Sequence, residues 1–272
     1  MTLTLHELNC IRFYMGDEKI VNSGYFKGGP KAYNTINALL HDGIWDEIDK
    51  LKEGKTIEIY GVEHLKSYLD LIINIGIAMH KYLNHDNYHL ITYRIDRLSA
   101  IREIKKRMMI EGFYSTCKYG YLDDYAHTKA DIILLEVVRD NKLPYLDFEE
   151  LFKDNYAKKE EAEILIPFNT KVERIEELAL TESEELRYYD MYHQKPKGKY
   201  RLILSSNDYG DIENVDYNEL IKADNIEKLI ACIKELERSH NLSDENKSYY
   251  LWYKDTLRKY VLNKIKEKAD VL

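Results

Sequence analysis

The sequence predicts an α+β protein in which helices come first, a mostly antiparallel sheet follows and helices close the chain. Apolar residues recur at helical spacing through the first third of the chain, and runs rich in β-branched and aromatic residues begin near residue 90. Helical spacing returns after residue 206. Helices that are segregated from strands in this way are typical of α+β folds.

Each element rests on its own local pattern. Tyr33–Leu40 and a longer stretch from about Val62 to Leu83 have the apolar spacing of helices, and another helix is predicted from about Leu98 to Ile110. The last 65 residues predict a helical hairpin docked on the sheet, with helices from about Leu220 to Leu236 and Asp244 to Lys268. The predicted strands are Leu90–Arg94, Gly112–Cys117, Asp131–Val138, Glu163–Pro167, Lys171–Ile175 and Lys199–Ser205.

Composition excludes several classes of protein. The chain has 272 residues with 40 Lys and Arg against 48 Asp and Glu, a net charge of -8, so general binding to a nucleic acid is disfavoured. The longest apolar stretch, Leu71 to Met79, is far shorter than the roughly 18 to 20 residues that span a bilayer. We expect no membrane partner.

The N-terminus and the cysteines indicate the compartment. His6, Glu7 and Arg12 interrupt what would be the apolar region of a signal peptide, so the chain is expected in the cytoplasm as encoded, with delivery by a signal-independent route left open. The three cysteines, Cys10, Cys117 and Cys232, have neither C-x-x-C nor Cys/His ligand spacing. We therefore expect reduced thiols and no metal site.

Two short segments carry polar side chains that suit binding or catalysis. Arg94 ends a predicted strand, where its five-donor fork suits a phosphate or pyrophosphate, and Arg97 is an equal candidate. Ser115 and Thr116 fall on opposite faces of an extended strand, from which a hydroxyl can orient a neighbouring side chain. If each segment is considered alone, a non-functional interpretation is favoured: the arginine is a surface residue, and the hydroxyl residues are merely tolerated at a strand edge.

A third segment carries two carboxylates. Glu161 and Glu163 precede an apolar run, and period-two geometry places both on one face within about 7 Å of each other. Close carboxylates repel, which suits a division of labour between a group that stays anionic and one that exchanges a proton. A solvated acidic turn is the alternative for this segment alone. The functional inference comes from the joint order of the three segments.

In this order the segments resemble the arginine, serine and glutamate signature of the cholera-toxin-like mono-ADP-ribosyltransferases. In that family an arginine strand, an S-T-S strand and an E-x-E strand converge on NAD. The matching residues here are Tyr93-Arg94, Ser115-Thr116-Cys117 and Glu161-Ala162-Glu163. Tyr33–Leu40 is similar to the family's Y-x-x-I-N-x-x-L helix, and Glu163–Thr170 to its E-x-L-L-P-x-G-T run.

The resemblance covers about residues 10 to 205. It implies a mono-ADP-ribosyltransferase-like fold, with N-terminal helices packed on a mostly antiparallel β-sandwich core. The implied domain is residues 1–206, with a helical lobe of about 1–87 and a sheet core of about 88–206. Residues 207–272 lie outside the resemblance, and their acidic composition and helical spacing predict a C-terminal helical extension. The sequence departs from the family at Ile95, where many members carry Gly, and at Cys117, which replaces the last Ser.

The resemblance also implies the chemistry: NAD-dependent transfer of ADP-ribose to an arginine of a target protein, with release of nicotinamide and no metal, by a bacterial toxin or effector. Glu163 stabilises the cationic ribose, Glu161 receives the arginine and Ser115 hydrogen-bonds Glu163. NAD is bound by Tyr93 and Arg94 together with Ser115, Thr116 and Glu163. Tyr156 is the candidate for target recognition. The segment 118–129 matches the loop that folds over NAD, and Tyr119, Tyr121 and Tyr125 are its candidates for stacking on NAD.

Two other functions remain open from the sequence. The same site can transfer ADP-ribose to water, as an NAD glycohydrolase, or to a nucleic acid or small molecule. The E-x-E pair favours an arginine acceptor, because the family's Q-x-E members modify asparagine or other acceptors. The chain can also be a non-catalytic interaction module, in which the carboxylates are a solvated face and the C-terminal hairpin binds a partner.

Overall fold

The structure is a computed structural model that describes residues 2–52, 54–82, 91–122, 131–140, 142–153, 162–206 and 212–269, apart from the side chains of residues 45, 46, 49 and 50. The chain divides into two compact units. The helical unit comprises Met1–Lys81 and Asp208–Leu272, and the sheet unit comprises Tyr82–Asn207. The C-terminal helices thus form one unit with the N-terminal helices, whereas the sequence predicted a hairpin docked on the sheet.

The helices predicted over Tyr33–Leu40, Val62–Leu83 and Asp244–Lys268 have close to the predicted bounds. The helix predicted over Leu98–Ile110 ends at Arg107, because Met108 takes a left-handed backbone conformation and Met109–Ile110 form a strand, and the one predicted over Leu220–Leu236 is divided into two helices. In the described residues the helices are α1 (Leu5–Tyr14), α2 (Glu18–Val21), α3 (Ala32–Leu40), α4 (Trp45–Lys52), α5 (Val62–Tyr82), α6 (Leu98–Arg107), α7 (Phe148–Phe152), α8 (Glu182–Tyr192), α9 (Tyr217–Leu220), α10 (Ala223–Ser239) and α11 (Asp244–Ala269). None of these helices is both long and apolar enough to span a bilayer.

All six predicted strands are present in the sheet unit, and two short strands join them. The strands of the described residues are β1 (Ile91–Arg97), β2 (Met109–Ile110), β3 (Tyr114–Cys117), β4 (Ile132–Arg139), β5 (Leu146–Asp147), β6 (Glu163–Ile166), β7 (Thr170–Leu178) and β8 (Lys199–Ser205). With two residues each, β2 and β5 are too short to show a period of two, so the sequence did not predict them.

The strands of the described residues form one sheet in the order β2-β7-β8-β4-β1-β3-β6-β5. Every pair in that order is antiparallel except β4 with β8. The predicted α+β class with a mostly antiparallel sheet is therefore confirmed. Where the sequence predicted a sandwich, the hydrogen bonding runs continuously through all eight described strands.

Strand β4 lies near the middle of the sheet, and its sequence explains why. Ile132, Ile133, Leu134 and Leu135 follow one another without a polar residue, and all four are fully buried. A continuous apolar run of this kind is typical of a strand covered on both faces. By contrast, only three of the nine residues of β7 are apolar, and most of the strand is exposed or half-buried, as expected nearer an edge.

A buried ion pair joins the C-terminal and N-terminal helices within the helical unit. The Lys254 ammonium on α11 binds the Glu47 carboxylate on α4 and donates to the Gly43 carbonyl at 2.8 Å. The side chains of Lys254 and Glu47 are 1% and 0% exposed. Burying two charges carries a large desolvation cost, which is offset only when both charges find close partners. The pair therefore fixes where α11 docks.

Replacing Lys254 by methionine is expected to lower the free energy of unfolding by about 3 to 5 kcal/mol, because the Glu47 carboxylate then stays buried without its counter-charge. The measurement is urea denaturation of the full chain followed by circular dichroism. Lys259→Met is the matched control, since Lys259 pairs with Glu213 and Asp255 at the surface and should change stability by about 1 kcal/mol or less. Equal losses in the two variants would contradict the buried pair's role.

Candidate active site

One row of opposed residues crosses six strands and defines a face of the sheet. Residues that pair directly across neighbouring strands project from the same face. In the order β7, β8, β4, β1, β3 and β6 the row consists of Glu176, Arg201, Glu136, Tyr93, Cys117 and Glu163. We call this side the Tyr93 face and the other side the Arg94 face. The predicted catalytic carboxylate, Glu163, lies on the Tyr93 face.

Ser115 lies on the Tyr93 face as well. It precedes Cys117 by two residues on β3, so the strand's period of two places both side chains on one face. Its direct partner on β6 is Leu165, whereas Cys117 lies directly opposite Glu163. Ser115 and Glu163 are thus diagonal neighbours, about 7 to 8 Å apart at the backbone and within reach of a long side chain. The hydrogen bond between them stays a prediction.

Thr116 lies on the opposite, Arg94 face. Its side chain is buried, and its hydroxyl donates to the Ile164 carbonyl at 3.1 Å. This bond joins β3 to β6 one residue away from the pairing of Cys117 with Glu163. The structure thus gives Thr116 a part in holding the two strands together, and the contact with NAD implied by the resemblance remains a prediction.

Arg94 joins β1 to β3 from the Arg94 face. Its Nη1 donates to the Ser115 carbonyl at 2.7 Å, and its Nε donates to the Asp96 carboxylate at 2.6 Å. The guanidinium also lies over the Tyr114 ring, 4.3 Å from the centroid. Bonds from both arms of the fork, together with a cation–π contact, fix its orientation. Arg94 therefore holds the backbone of the serine that the resemblance assigns to the site.

Two neighbours of Arg94 were not predicted from the sequence. Asp96 is nearly buried and Tyr114 is buried, and burial raises the pKa of the Tyr114 phenol, so it stays neutral. The Tyr114 hydroxyl lies 3.5 Å from the Asp96 carboxylate. Asp96 follows Arg94 by two residues on a strand, so their side chains project from the same face. This spacing of opposite charges in the sequence could have predicted the ion pair.

The chain enters β6 through a constrained turn at Ala162. Ala162 has a positive φ of 37°, which is uncommon for a residue with a side chain, and it is buried. Its carbonyl accepts from the Lys118 backbone N–H at 3.1 Å. Because Glu163 follows directly, this turn and hydrogen bond set the direction in which the backbone presents Glu163.

A buried lysine that directly follows β3 holds the end of that strand to β5 and to the first turn of α7. The Lys118 ammonium lies 2.5 Å from the Asp147 carboxylate and 2.9 Å from that of Glu149. Burial lowers the pKa of Lys118, but the hydrogen bonds to these two carboxylates outweigh it and raise the pKa. Asp147 also accepts from the Glu150 N–H at the start of α7. Lys118 is therefore a positive anchor beside the strand pair that carries Ser115 and Glu163.

The middle of the Tyr93 face is lined by a charged network. Glu136 accepts from Arg201 at 2.7 and 3.0 Å and lies 3.3 Å from the Lys199 ammonium. Lys199 also donates to Glu184 of α8 at 2.8 Å. Burial lowers the pKa of Lys199, but the two glutamates outweigh it and raise the pKa. The network ties β4, β8 and α8 together beside Tyr93.

Tyrosines of the segment predicted to cover NAD lie close to these groups. Tyr121 contacts Tyr93 edge to face, with ring centroids 5.3 Å apart. Burial, followed by the negative charges of Glu136 and Glu184, raises the pKa of Tyr121. Tyr119 is 71% exposed, and its hydroxyl donates to Glu149 at 3.2 Å. Of the two, Tyr121 is the one packed on a predicted site residue.

Other predicted residues lie outside the described part of the chain. Glu161, the first glutamate of the E-x-E pair, and Tyr156, the candidate for target recognition, both belong to the stretch 154–161. Tyr125 of the segment predicted to cover NAD lies in the stretch 123–130. The predictions for these three residues rest on the sequence.

Comparison with known proteins returns similar solved structures. No protein-family profile matches the sequence, and no curated protein matches it. The solved structures include the ADP-ribosylating toxin BECa of C. perfringens, which was crystallised with NADH, at 17% identity, 75% coverage of this chain and a TM-score of 0.44. The chain is similar to ADP-ribosylating toxins. It spans 44% of the length of BECa.

Two catalytic domains from Aeromonas hydrophila are also similar. The VahC domain is 16% identical over 75% of this chain and 99% of its own length, with a TM-score of 0.40. The VsdC domain is 16% identical over 74% of this chain and 98% of its own length, with a TM-score of 0.38. The geometry of the residues described above, rather than these similarities, supports the function proposed below.

Arg94→Lys is expected to lower the free energy of unfolding by about 1 to 3 kcal/mol, because a single ammonium cannot reproduce the forked contact with Asp96 and the Ser115 carbonyl. Urea denaturation measures the change. Arg174→Lys is the control, since Arg174 is 65% exposed and pairs with Glu176 at the surface, where a change within about 0.5 kcal/mol is expected. A loss for Arg94→Lys no larger than that of the control would show that the fork does not hold β3.

Proposed function

We propose that the chain cleaves NAD and transfers ADP-ribose to an arginine side chain of a target protein, as a toxin or effector does. The main support is the pairing of β3 with both β1 and β6. That pairing brings Ser115 and Glu163 to one face and lets Arg94 bind the backbone of Ser115. Three segments that are separate in sequence, and whose order resembles the family's signature, thus converge on one part of the sheet.

The proposed reaction breaks the bond between C1 of the ribose and the nicotinamide nitrogen. The bonding electron pair leaves with the nicotinamide, and positive charge develops on the ribose in an oxocarbenium-like state, as in glycoside cleavage. A fixed carboxylate directed at that ribose stabilises the charge, by about 3 to 4 kcal/mol for one well-placed group. We assign this part to Glu163.

The acceptor side of the reaction needs a base. A guanidinium nitrogen of the target forms the new bond to C1 and gives up a proton. A carboxylate within hydrogen-bonding distance can orient the guanidinium and take that proton. Glu161 precedes Glu163 by two residues in the sequence, and we assign it this part. The proposal that the acceptor is an arginine, rather than another group, therefore depends on Glu161.

The remaining residues position these groups or bind NAD. In the proposal, Ser115 hydrogen-bonds Glu163 and sets its rotamer before NAD arrives. Arg94 holds Ser115 through the backbone from the opposite face of the sheet. Its assignment to the phosphates of NAD rests on the family resemblance and on a guanidinium that is 27% exposed. Tyr93 lies on the same face as Ser115 and Glu163, where its ring can contact NAD.

Glu163→Gln is expected to abolish NAD-dependent labelling of target proteins, because the neutral amide cannot stabilise the cationic ribose. The measurement is incubation of the purified chain with labelled NAD and cell lysates, followed by mass spectrometry of labelled bands. Nicotinamide release is measured in the same samples.

Glu177→Gln is the matched control for this experiment. Glu177 is an exposed glutamate on β7 that pairs with Tyr200, one residue out of phase with the row that contains Glu163, so it projects from the opposite face. The control should label as the wild type does. Equal labelling by wild type and Glu163→Gln would refute the assignment of Glu163, and a wild type with neither labelling nor nicotinamide release would favour a non-catalytic interaction module.

Glu161→Gln is expected to separate the two halves of the reaction. Nicotinamide release should persist, because Glu163 remains, whereas labelling of arginine should fall by roughly the 10²- to 10⁴-fold that a positioned base contributes. The wild-type label should be removed by neutral hydroxylamine, as expected for an arginine linkage. Undiminished arginine labelling by Glu161→Gln would contradict its assigned part.

A further inference from the structure

Three side chains with metal-binding atoms converge in the helical unit, and none of them has a part in the chemistry proposed for the sheet unit. His6 and Cys10 lie one turn apart on α1, so they project from the same side of that helix, and Asp70 comes from α5. His6 Nε2 lies 3.0 Å from Asp70 Oδ2 and 3.8 Å from Cys10 Sγ. The three ligand atoms all lie within 4.8 Å of one another.

These separations suit a tetrahedral ion. With zinc–nitrogen and zinc–oxygen bonds of about 2.0 to 2.1 Å and a zinc–sulfur bond of about 2.3 Å, tetrahedral ligand atoms lie about 3.3 to 3.7 Å apart. The two distances from His6 Nε2 bracket this interval, so adjustments of a few tenths of an ångström bring both pairs to it. The Cys10 and Asp70 ligand atoms lie within 4.8 Å of each other, so they need to approach by at most about 1.2 Å, which a rotation of the partly exposed Asp70 side chain can supply.

Two of the three side chains are already oriented through the atom that an ion would not use. The other ring nitrogen of His6, Nδ1, lies 3.0 Å from the Tyr25 hydroxyl. The other carboxylate oxygen of Asp70, Oδ1, accepts from the Asn74 amide at 2.9 Å. Hydrogen bonds of this kind fix the tautomer and rotamer of metal ligands in known sites. A simple ion pair between His6 and Asp70 accounts for neither these contacts nor Cys10.

The surroundings favour a positive charge. Cys10 is fully buried, whereas His6 and Asp70 are partly exposed, so an ion has a route from solvent. Asp70 supplies a negative charge beside the thiol, and a bound cation stabilises the thiolate form of a cysteine. The Glu7 carboxylate, next to His6 on α1, is already paired with Lys81 at 2.6 Å.

We propose that His6, Cys10 and Asp70 bind one zinc ion, with a water molecule in the fourth position. Thiolate, imidazole and carboxylate together suit zinc better than the hard cations calcium or magnesium. The ion ties α1 to α5 within the helical unit. The sequence predicted no metal because Asp70 is remote from the other two residues and only the fold brings it to them. This proposal is independent of the NAD chemistry.

The test is titration of the metal-free full chain with zinc in competition with a chromophoric chelator, and with cobalt(II) as a spectroscopic substitute. One equivalent of zinc should bind, raise the melting temperature and displace cobalt. The cobalt form should show thiolate-to-metal charge-transfer absorption and the visible bands of a tetrahedral site. Cys10→Ser should lose the charge-transfer band, and Tyr25→Phe should weaken zinc binding by about 10- to 100-fold.

Cys232→Ser is the matched control, because Cys232 is also a buried thiol of the helical unit but bonds to the Asn246 carbonyl. It should bind zinc as the wild type does. Asp70→Asn serves if Cys10→Ser fails to fold, since the Asp70 side chain is 44% exposed and its replacement should preserve the fold while weakening zinc binding at least tenfold. Absence of stoichiometric zinc binding, or binding that Asp70→Asn leaves unchanged, would overturn the proposal.

Discussion

The antiparallel pairing of β3 with both β1 and β6 is the constraint on which the candidate site depends. Side chains alternate between faces along a strand, so a shift of one residue between β3 and β6 would move Glu163 away from the face that carries Ser115. A shift of one residue between β1 and β3 would exchange the faces of Tyr93 and Arg94 relative to Ser115. Groups on the Arg94 face hold this pairing: Arg94 bonds the Ser115 carbonyl, and Thr116 bonds the Ile164 carbonyl. One face of the sheet thus fixes the geometry of the other.

Local patterns predicted the elements, and tertiary pairing supplied what they could not. Six strands and the long helices could be read from hydrophobic periodicity, because each is long enough to show a period. Helix α8 was missed, since few apolar residues mark its face, although Thr181 and Glu184 form a capping box that signals its start. The register that places Glu163 of β6 opposite Cys117 is set by the pairing of the two strands, so it could not be predicted from either segment alone.

In the helical unit, too, the sequence could not predict which residues pair: the example is a buried ion pair. Lys254 looks in sequence like one more surface lysine of a charged helix, yet its side chain is 1% exposed and bound to Glu47. Charged residues are almost never buried unless they are paired, so the pair is visible only when both partners are known. Because the partners belong to α4 and α11, this bond is one physical reason why the two ends of the chain share a unit.

Cys117 makes the proposed mechanism depend on a chain of contacts rather than on one residue. It lies directly opposite Glu163, where a serine hydroxyl could have served, but a thiol is only a weak hydrogen-bond donor. The orientation of Glu163 then falls to Ser115, whose carbonyl is held by Arg94, whose guanidinium is in turn held by Asp96. In the proposed mechanism, Asp96 on the Arg94 face therefore acts on the catalytic carboxylate through Arg94 and the backbone of β3, without touching NAD.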